Sequence, residues 1–296
     1  MGDELRWADV PADRLNIAAT LDSGQCFRWI CTGDGDWIGV IGDCGMKLRA
    51  GADGFWWQTY PHRDRWDLIQ QYFALDVDLE RLYGEWRRAE PRTEQSIARN
   101  AGMRILRQDA DEAFFSFLCA SCNTVVKIRR SVQALARMYG EAVAEVDGLV
   151  LHAFPTAERI ANASEPALRA ALWGYRAPVL IDAARDVSER GDGWLDSLRA
   201  VPYREAHAEL TSIHGIGAKI ADCICLFGLW HDEAVPIDTH VRRIAMRLFR
   251  PDLAIKSLTP AVYDTLASLF RARFGPYAGW AQQYLFYDSL RHAEDR

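Results

Sequence analysis

Residues Leu210–Asp238 read L-T-S-I-H-G-I-G-A-K-I-A-D-C-I-C-L-F-G-L-W-H-D-E-A-V-P-I-D. A G-I-G turn at Gly215 and Gly217 interrupts a helical pattern, which predicts a helix-hairpin-helix unit over about 205–230. Glycines accept positive φ and leave backbone N–H groups uncovered. Such groups beside a helix N-terminus suit a phosphate oxygen. Lys219 falls at the start of the second helix, where the dipole disfavours an added positive charge. A neutral amine there is a nucleophile and an ammonium is not. Asp238 comes nineteen residues later, after Pro236 and before the apolar-periodic run from Val241 to Leu248, which is an N-cap position. Taken singly, Lys219 reads as an exposed helix residue and Asp238 as a plain cap. Their joint spacing from the hairpin favours chemistry.

Composition sets bounds around this centre. With 296 residues and 49% apolar side chains, the chain can bury a sizeable core in two domains or two lobes. No apolar run reaches membrane-spanning length, and the acidic start M-G-D-E-L-R-W lacks a signal-peptide pattern. Cytoplasmic residence without membrane contact is the expectation. Seven cysteines suit reduced, mostly buried thiols. Cys119 and Cys122 form a C-x-x-C, but on an apolar helical run, and they read as structural. No metal and no cofactor are expected. The net charge of −6 argues mildly against a nucleic-acid partner, yet a polyanion meets a local face. Basic residues cluster at Lys127, Arg129 and Arg130, and at Arg242, Arg243, Arg247 and Arg250. Charge alone divides evenly between a solvated helix face and a DNA-binding one.

Upstream of the hairpin the pattern changes near residue 100. Residues 1–100 alternate short Trp-, Phe-, Ile- and Val-rich runs, such as C-F-R-W-I, W-I-G-V-I-G and F-W-W-Q-T-Y, with Gly/Asp turns. That predicts an antiparallel meander, flanked by helices near Arg65–Ala74 and Leu79–Arg88. Residues 101–296 are helical in pattern, with Ile128, Val132, Leu135 and Met138 on one face and a last helix near Tyr277–Arg291. The fold class expected is therefore α+β: an N-terminal antiparallel sheet domain, then a two-lobed helical domain whose hairpin faces the cleft between lobes.

The hairpin with its lysine and aspartate resembles the helix-hairpin-helix DNA glycosylases, and within them the 8-oxoguanine DNA glycosylases of eukaryotic type. The resemblance extends in order through S-G-Q-C-F-R-W (Ser23–Trp29), Y-F-A-L-D-V-D-L (Tyr72–Leu79), R-I-L-R-Q-D (Arg104–Asp109), L-W-G-Y-R-A (Leu172–Ala177), the hairpin and G-P-Y-A-G-W-A-Q (Gly275–Gln282). It implies a bifunctional enzyme of base-excision repair, a monomer, acting on double-stranded DNA that contains an oxidised guanine. Lys219 would displace the base and form a Schiff base with the sugar, and Asp238 would offset positive charge on the sugar. Gly24, Cys223, Gln282 and Phe286 would receive the extruded base, with the Gly24 carbonyl accepting from the N–H that oxidation adds. Asn123, Lys127, Tyr175 and Arg176 would fill the gap and probe its neighbours, while Gly215, Gly217 and His240 would hold the DNA backbone. Core packing competes as a reading for Phe286, Cys223 and Tyr175 taken alone.

The chain also departs from the family pattern. In C-A-S-C-N-T-V-V-K, Cys122 stands where the family has an asparagine, and Lys127 where it has an arginine. A lysine lacks the planar donor fork of arginine, so relaxed checking for cytosine opposite the lesion is expected. Two other functions remain open from sequence: a glycosylase for a different damaged base, and a DNA-binding module without catalysis. Lys219 argues against the first where the relative is purely hydrolytic, and Lys219 with Asp238 against the second.

Overall fold

The computed structural model describes residues 5–61, 64–120, 123–249 and 257–291. Five strands form an antiparallel sheet in the order β1-β5-β4-β3-β2: β1 (Arg6–Ala8), β2 (Ile30–Cys31), β3 (Trp37–Ile41), β4 (Cys44–Ala50) and β5 (Phe55–Tyr60). Gly39 in β3 is where Trp29 lies flat on the sheet: a Cβ there would sit 2.5 Å from the indole. That packing explains a departure from expectation. Most of C-F-R-W-I is not a strand, because only Ile30–Cys31 pairs. The preceding residues turn into the core, where the Trp29 indole N–H donates to the Tyr72 hydroxyl at 2.9 Å.

The second face of β3 is buried too. Ile38 and Val40 pack against Val146 and Leu151, which belong to a hairpin of β6 (Ala142–Val146) and β7 (Leu149–His152). This hairpin lies within the stretch read as wholly helical. Its signal was the Asp147–Gly148 dipeptide: both residues have positive φ, 50° and 77°, as a two-residue hairpin turn requires. Lys47 in β4 reaches Asp147 at 2.6 Å and ties the two sheets.

The described helices of nine residues or more are α1 (Leu79–Ala89), α2 (Ala110–Leu118), α3 (Val125–Tyr139), α4 (Ala177–Arg190), α5 (Tyr203–Thr211), α6 (Ala218–Phe227), α7 (Thr239–Phe249), α8 (Pro260–Phe274) and α9 (Ala278–Arg291). They share one continuous apolar core that also takes in Met103 and Ile105. The first and last helices meet at a buried hydroxyl pair, Tyr83 and Tyr284, 2.7 Å apart. The buried Arg104 is satisfied by backbone carbonyls of Ala74 and Val77, at 2.8 and 2.7 Å. Burial pushes its guanidinium down to about 10. These bonds fix the chain where it passes from sheet to helices, beneath the turn that carries Gly24.

Candidate active site

The hairpin forms because α5 is apolar on one side, α6 is buried from Ile220 to Phe227, and the six residues between them offer two more anchors, Ile213 and Ile216, both buried. Gly215 has φ +90°, and a Cβ there would lie 2.3 Å from Val179 in α4. This position needs glycine twice over, for its conformation and for close packing. Gly217 differs from expectation: its φ of −91° is an ordinary extended value. Nothing lies within 4 Å of its missing Cβ, so its backbone is open to approach. It caps α6 without a side chain, leaving first-turn N–H groups for an outside acceptor.

Lys219 follows in the first turn of α6 and is half-buried. Its Nζ lies 6.0 Å from the centre of the Phe117 ring. One turn further along, Cys223 is buried beside it. Burial pushes the Cys223 thiol up to about 11, and the neighbouring Lys219 pulls the other way. Asp238 caps α7 as expected: its Oδ1 accepts from the backbone N–H of His240 and of Val241, both at 2.8 Å. Both bonds fall on one oxygen, and among the described residues none falls on Oδ2. Lys219 and Asp238 line one cavity of 820 Å³ together with Gly24, Asn123, Gly215, Gly217, His240 and Phe286. That volume suits one extruded nucleotide.

A buried network sets the two catalytic candidates relative to each other. Asp222, three residues after Lys219, is wholly buried and accepts from the hydroxyls of Tyr203 at 2.6 Å and Tyr263 at 2.5 Å. Tyr263 in turn accepts from the backbone N–H of Ile237, adjacent to Asp238, at 3.2 Å. Helix α6 and the Pro236–Asp238 segment are thereby joined through one carboxylate. Burial pushes that carboxyl up, opposed first by His207 and then by the two tyrosines. Sequence reading missed Asp222, since an aspartate one position from Cys223 has no distinguishing pattern. It missed Phe117 as well, which reads as plain core in an apolar helix.

The turn at Gly24 is held from below. Gly24 has φ +81°. The buried amide of Gln25 donates to the carbonyls of Thr20 and Arg104 at 3.0 and 2.8 Å, and Gln283 of α9 donates to the carbonyl of Ser23 at 3.0 Å. On α9, Phe286 reaches the cavity and stands edge-on to His240, with ring centres 6.2 Å apart. Gln282 and Cys223 do not line the cavity itself. Gln282 is only 2% exposed, yet its Oε1 has no hydrogen-bond partner. A buried amide oxygen left unpaired is costly, and a donor brought by a ligand would remove that cost.

Of the remaining candidates, Asn123 lines the cavity and Lys127, Tyr175 and Arg176 do not. Asn123 lies at the cavity edge, with its amide donating to the Cys119 carbonyl at 3.3 Å. Lys127 is exposed in the first turn of α3. Tyr175 is 66% exposed, and the Arg176 guanidinium lies 4.3 Å from its ring centre. Cys122 and Arg250 lie outside the described residues. Among the described residues no group of three or more His, Cys, Asp or Glu is placed to hold a metal.

With this geometry in hand, comparison with known proteins is specific. Residues 8–114 match the profile of the 8-oxoguanine DNA glycosylase N-terminal domain, and residues 118–258 that of the HhH-GPD superfamily base excision DNA repair proteins. The chain is 35% identical to N-glycosylase/DNA lyase OGG1 of Arabidopsis thaliana over 93% of its own length and 78% of the relative's. It is 29% identical to the N-glycosylase/DNA lyase of Saccharomyces cerevisiae, over 92% and 82% respectively. Its structure superposes with a TM-score of 0.86 and 26% identity on Clostridium acetobutylicum 8-oxoguanine glycosylase/lyase in complex with dsDNA containing cytosine opposite 8-oxoG, covering 98% and 99% of the two chains.

Proposed function

The chain belongs to the 8-oxoguanine DNA glycosylase/DNA lyase family, and from that premise we propose that it extrudes 8-oxoguanine from duplex DNA, cuts it from the sugar and then nicks the strand. The observation that carries the assignment of roles is the shared cavity: an amine at the start of α6 and a carboxylate capping α7 line the same space as an aromatic face and a turn glycine.

The Lys219 amine attacks the anomeric carbon. The C–N bond to the base breaks, its electron pair leaves with the base, and the base takes up a proton. Positive charge develops on the sugar as that bond breaks, and Asp238 offsets it. Loss of an amine proton and ring opening give an iminium. This makes the adjacent sugar proton acidic, and its removal expels the 3′ phosphate by β-elimination. Phe286 supplies the stacking face for the extruded base. The unpaired Oε1 of Gln282 supplies an acceptor for its Watson–Crick edge. The Gly24 carbonyl accepts from the N–H that distinguishes the oxidised base. Open N–H groups at the hairpin and the side chain of His240 hold backbone phosphates.

Borohydride reduction tests the assignment. Wild-type protein is expected to cross-link to DNA containing 8-oxoguanine, and Lys219→Gln to bind the same DNA without excision or cross-linking. Cross-linking by Lys219→Gln would transfer the chemistry to another amine, and absence of excision by the wild type would remove the function itself.

A further inference from the structure

The turn before α4 holds a residue with no role so far. Leu172 has φ +71° and ψ 6°, a left-handed backbone conformation that glycine takes freely and a leucine does not. Its side chain is also 53% exposed. An exposed leucine alone needs no explanation. An exposed leucine held in a disfavoured backbone does, since neither the conformation nor the packing of the free protein benefits from it. The surroundings enforce the arrangement. Trp173 is fully buried and donates through its indole N–H to the Ser131 carbonyl at 3.2 Å, while the Ser131 hydroxyl donates to the Leu172 carbonyl at 3.2 Å. Two consecutive residues are thus clasped by one residue of α3, and Leu172 is presented outward.

The place is informative. Ser131 lies one helical turn beyond Lys127 on α3. Tyr175 and Arg176 follow Leu172 in the same turn, and α4 begins next and packs Val179 against Gly215 of the hairpin. Leu172 is therefore tied to α3, whose Val125 and Ile128 line the same cavity as Lys219, and so stands toward the DNA that must lie there if Lys219 is to reach a sugar. Strained backbone persists only where the surrounding structure enforces it, and such residues cluster at functional sites. An apolar side chain pushed between base steps unstacks them and kinks the duplex.

We propose that Leu172 is a second wedge, entering the duplex beside Tyr175 at a step next to the vacated position and holding that step open during extrusion. The proposal rests on the reading that this protein extrudes a base from duplex DNA. Its test compares single-turnover excision by wild type, Leu172→Gly and Leu172→Met on two substrates, one fully paired and one with mismatches flanking the lesion. Leu172→Gly is expected to lose about tenfold in rate on paired DNA, where the wedge must break stacking, and less than about twofold where stacking is already broken. Leu172→Met keeps an apolar side chain and should retain most of the rate. Melting of Leu172→Gly should be no lower than that of wild type, because glycine relaxes the backbone. Wild-type rates for Leu172→Gly on paired DNA, or equal losses on both substrates, would overturn the wedge. Failure of the wild type itself to excise would instead overturn the glycosylase reading.

Discussion

The two sides of the cleft are built on opposite terms. On the side of α6 and α7, two carboxylates are held by bonds within the protein: Asp238 caps a helix through two N–H groups, and Asp222 takes two tyrosine hydroxyls, one of which takes a further N–H. On the side of α3 and the turn before α4, Tyr175 and Leu172 stand exposed, and the backbone at Leu172 is strained. Charge stabilisation at a reacting sugar gains from dipoles already fixed before the substrate arrives. Filling a gap in DNA requires side chains whose packing partners exist only after the base has left. The two carboxylates of the first side are accordingly fixed in the free protein, and on the proposed reading the exposed side chains of the second find their packing partners only on DNA.

The comparison breaks most visibly if Asp238 is only a cap. Asp238→Asn keeps an oxygen at Oδ1 to accept from His240 and Val241, so melting should change little. The amide cannot offset a cationic sugar, and single-turnover excision should fall by roughly 10²–10³. A rate unchanged in a folded variant would reduce Asp238 to a structural residue.

Next in size is the Asp222 network. Asp222→Ala leaves the hydroxyls of Tyr203 and Tyr263 buried without their acceptor, and unfolding by urea should show a loss of about 2–4 kcal/mol. Tyr175→Ala, on the other side, should stay within about 0.5 kcal/mol of wild type while weakening excision. Equal stability losses in the two variants would erase the distinction between a finished wall and an open one.

Legibility in the sequence follows the same division. The helix-hairpin-helix, its lysine and the capping aspartate were readable, because turn glycines, a helix start and an N-cap each impose a local pattern. Asp222 was not, because its importance comes from Tyr203 and Tyr263, which lie in separate helices. The lock on Gly24 by Gln25 and Gln283 was hidden for the same reason. The β6–β7 hairpin was readable in principle from Asp147–Gly148 and was obscured by helical surroundings. Leu172 carries no mark of its own within L-W-G-Y-R-A, since a leucine in a glycine-like backbone is visible only in the fold.

The smallest expected effect concerns how the open side reads the base opposite the lesion. Lys127 projects from the first turn of α3, exposed, with its backbone N–H accepted by the Thr124 hydroxyl at 3.4 Å. Its ammonium attracts any carbonyl or ring nitrogen nearby, whereas a guanidinium offers two parallel donors that fit one base edge and misfit others. The present protein should therefore excise 8-oxoguanine opposite cytosine and opposite other bases at similar rates. Lys127→Arg should sharpen the preference for cytosine by about tenfold, the lower end of what one bidentate contact gives. The cap at Thr124 uses the backbone of residue 127 and not its side chain, so melting should stay put. Single-turnover excision opposite each of the four bases, in both proteins, measures the ratio directly. A strong cytosine preference already present in wild type, unmoved by arginine, would mean that Arg176 beside Tyr175 reads the opposite base alone, and that residue 127 serves only as a contact for backbone phosphate.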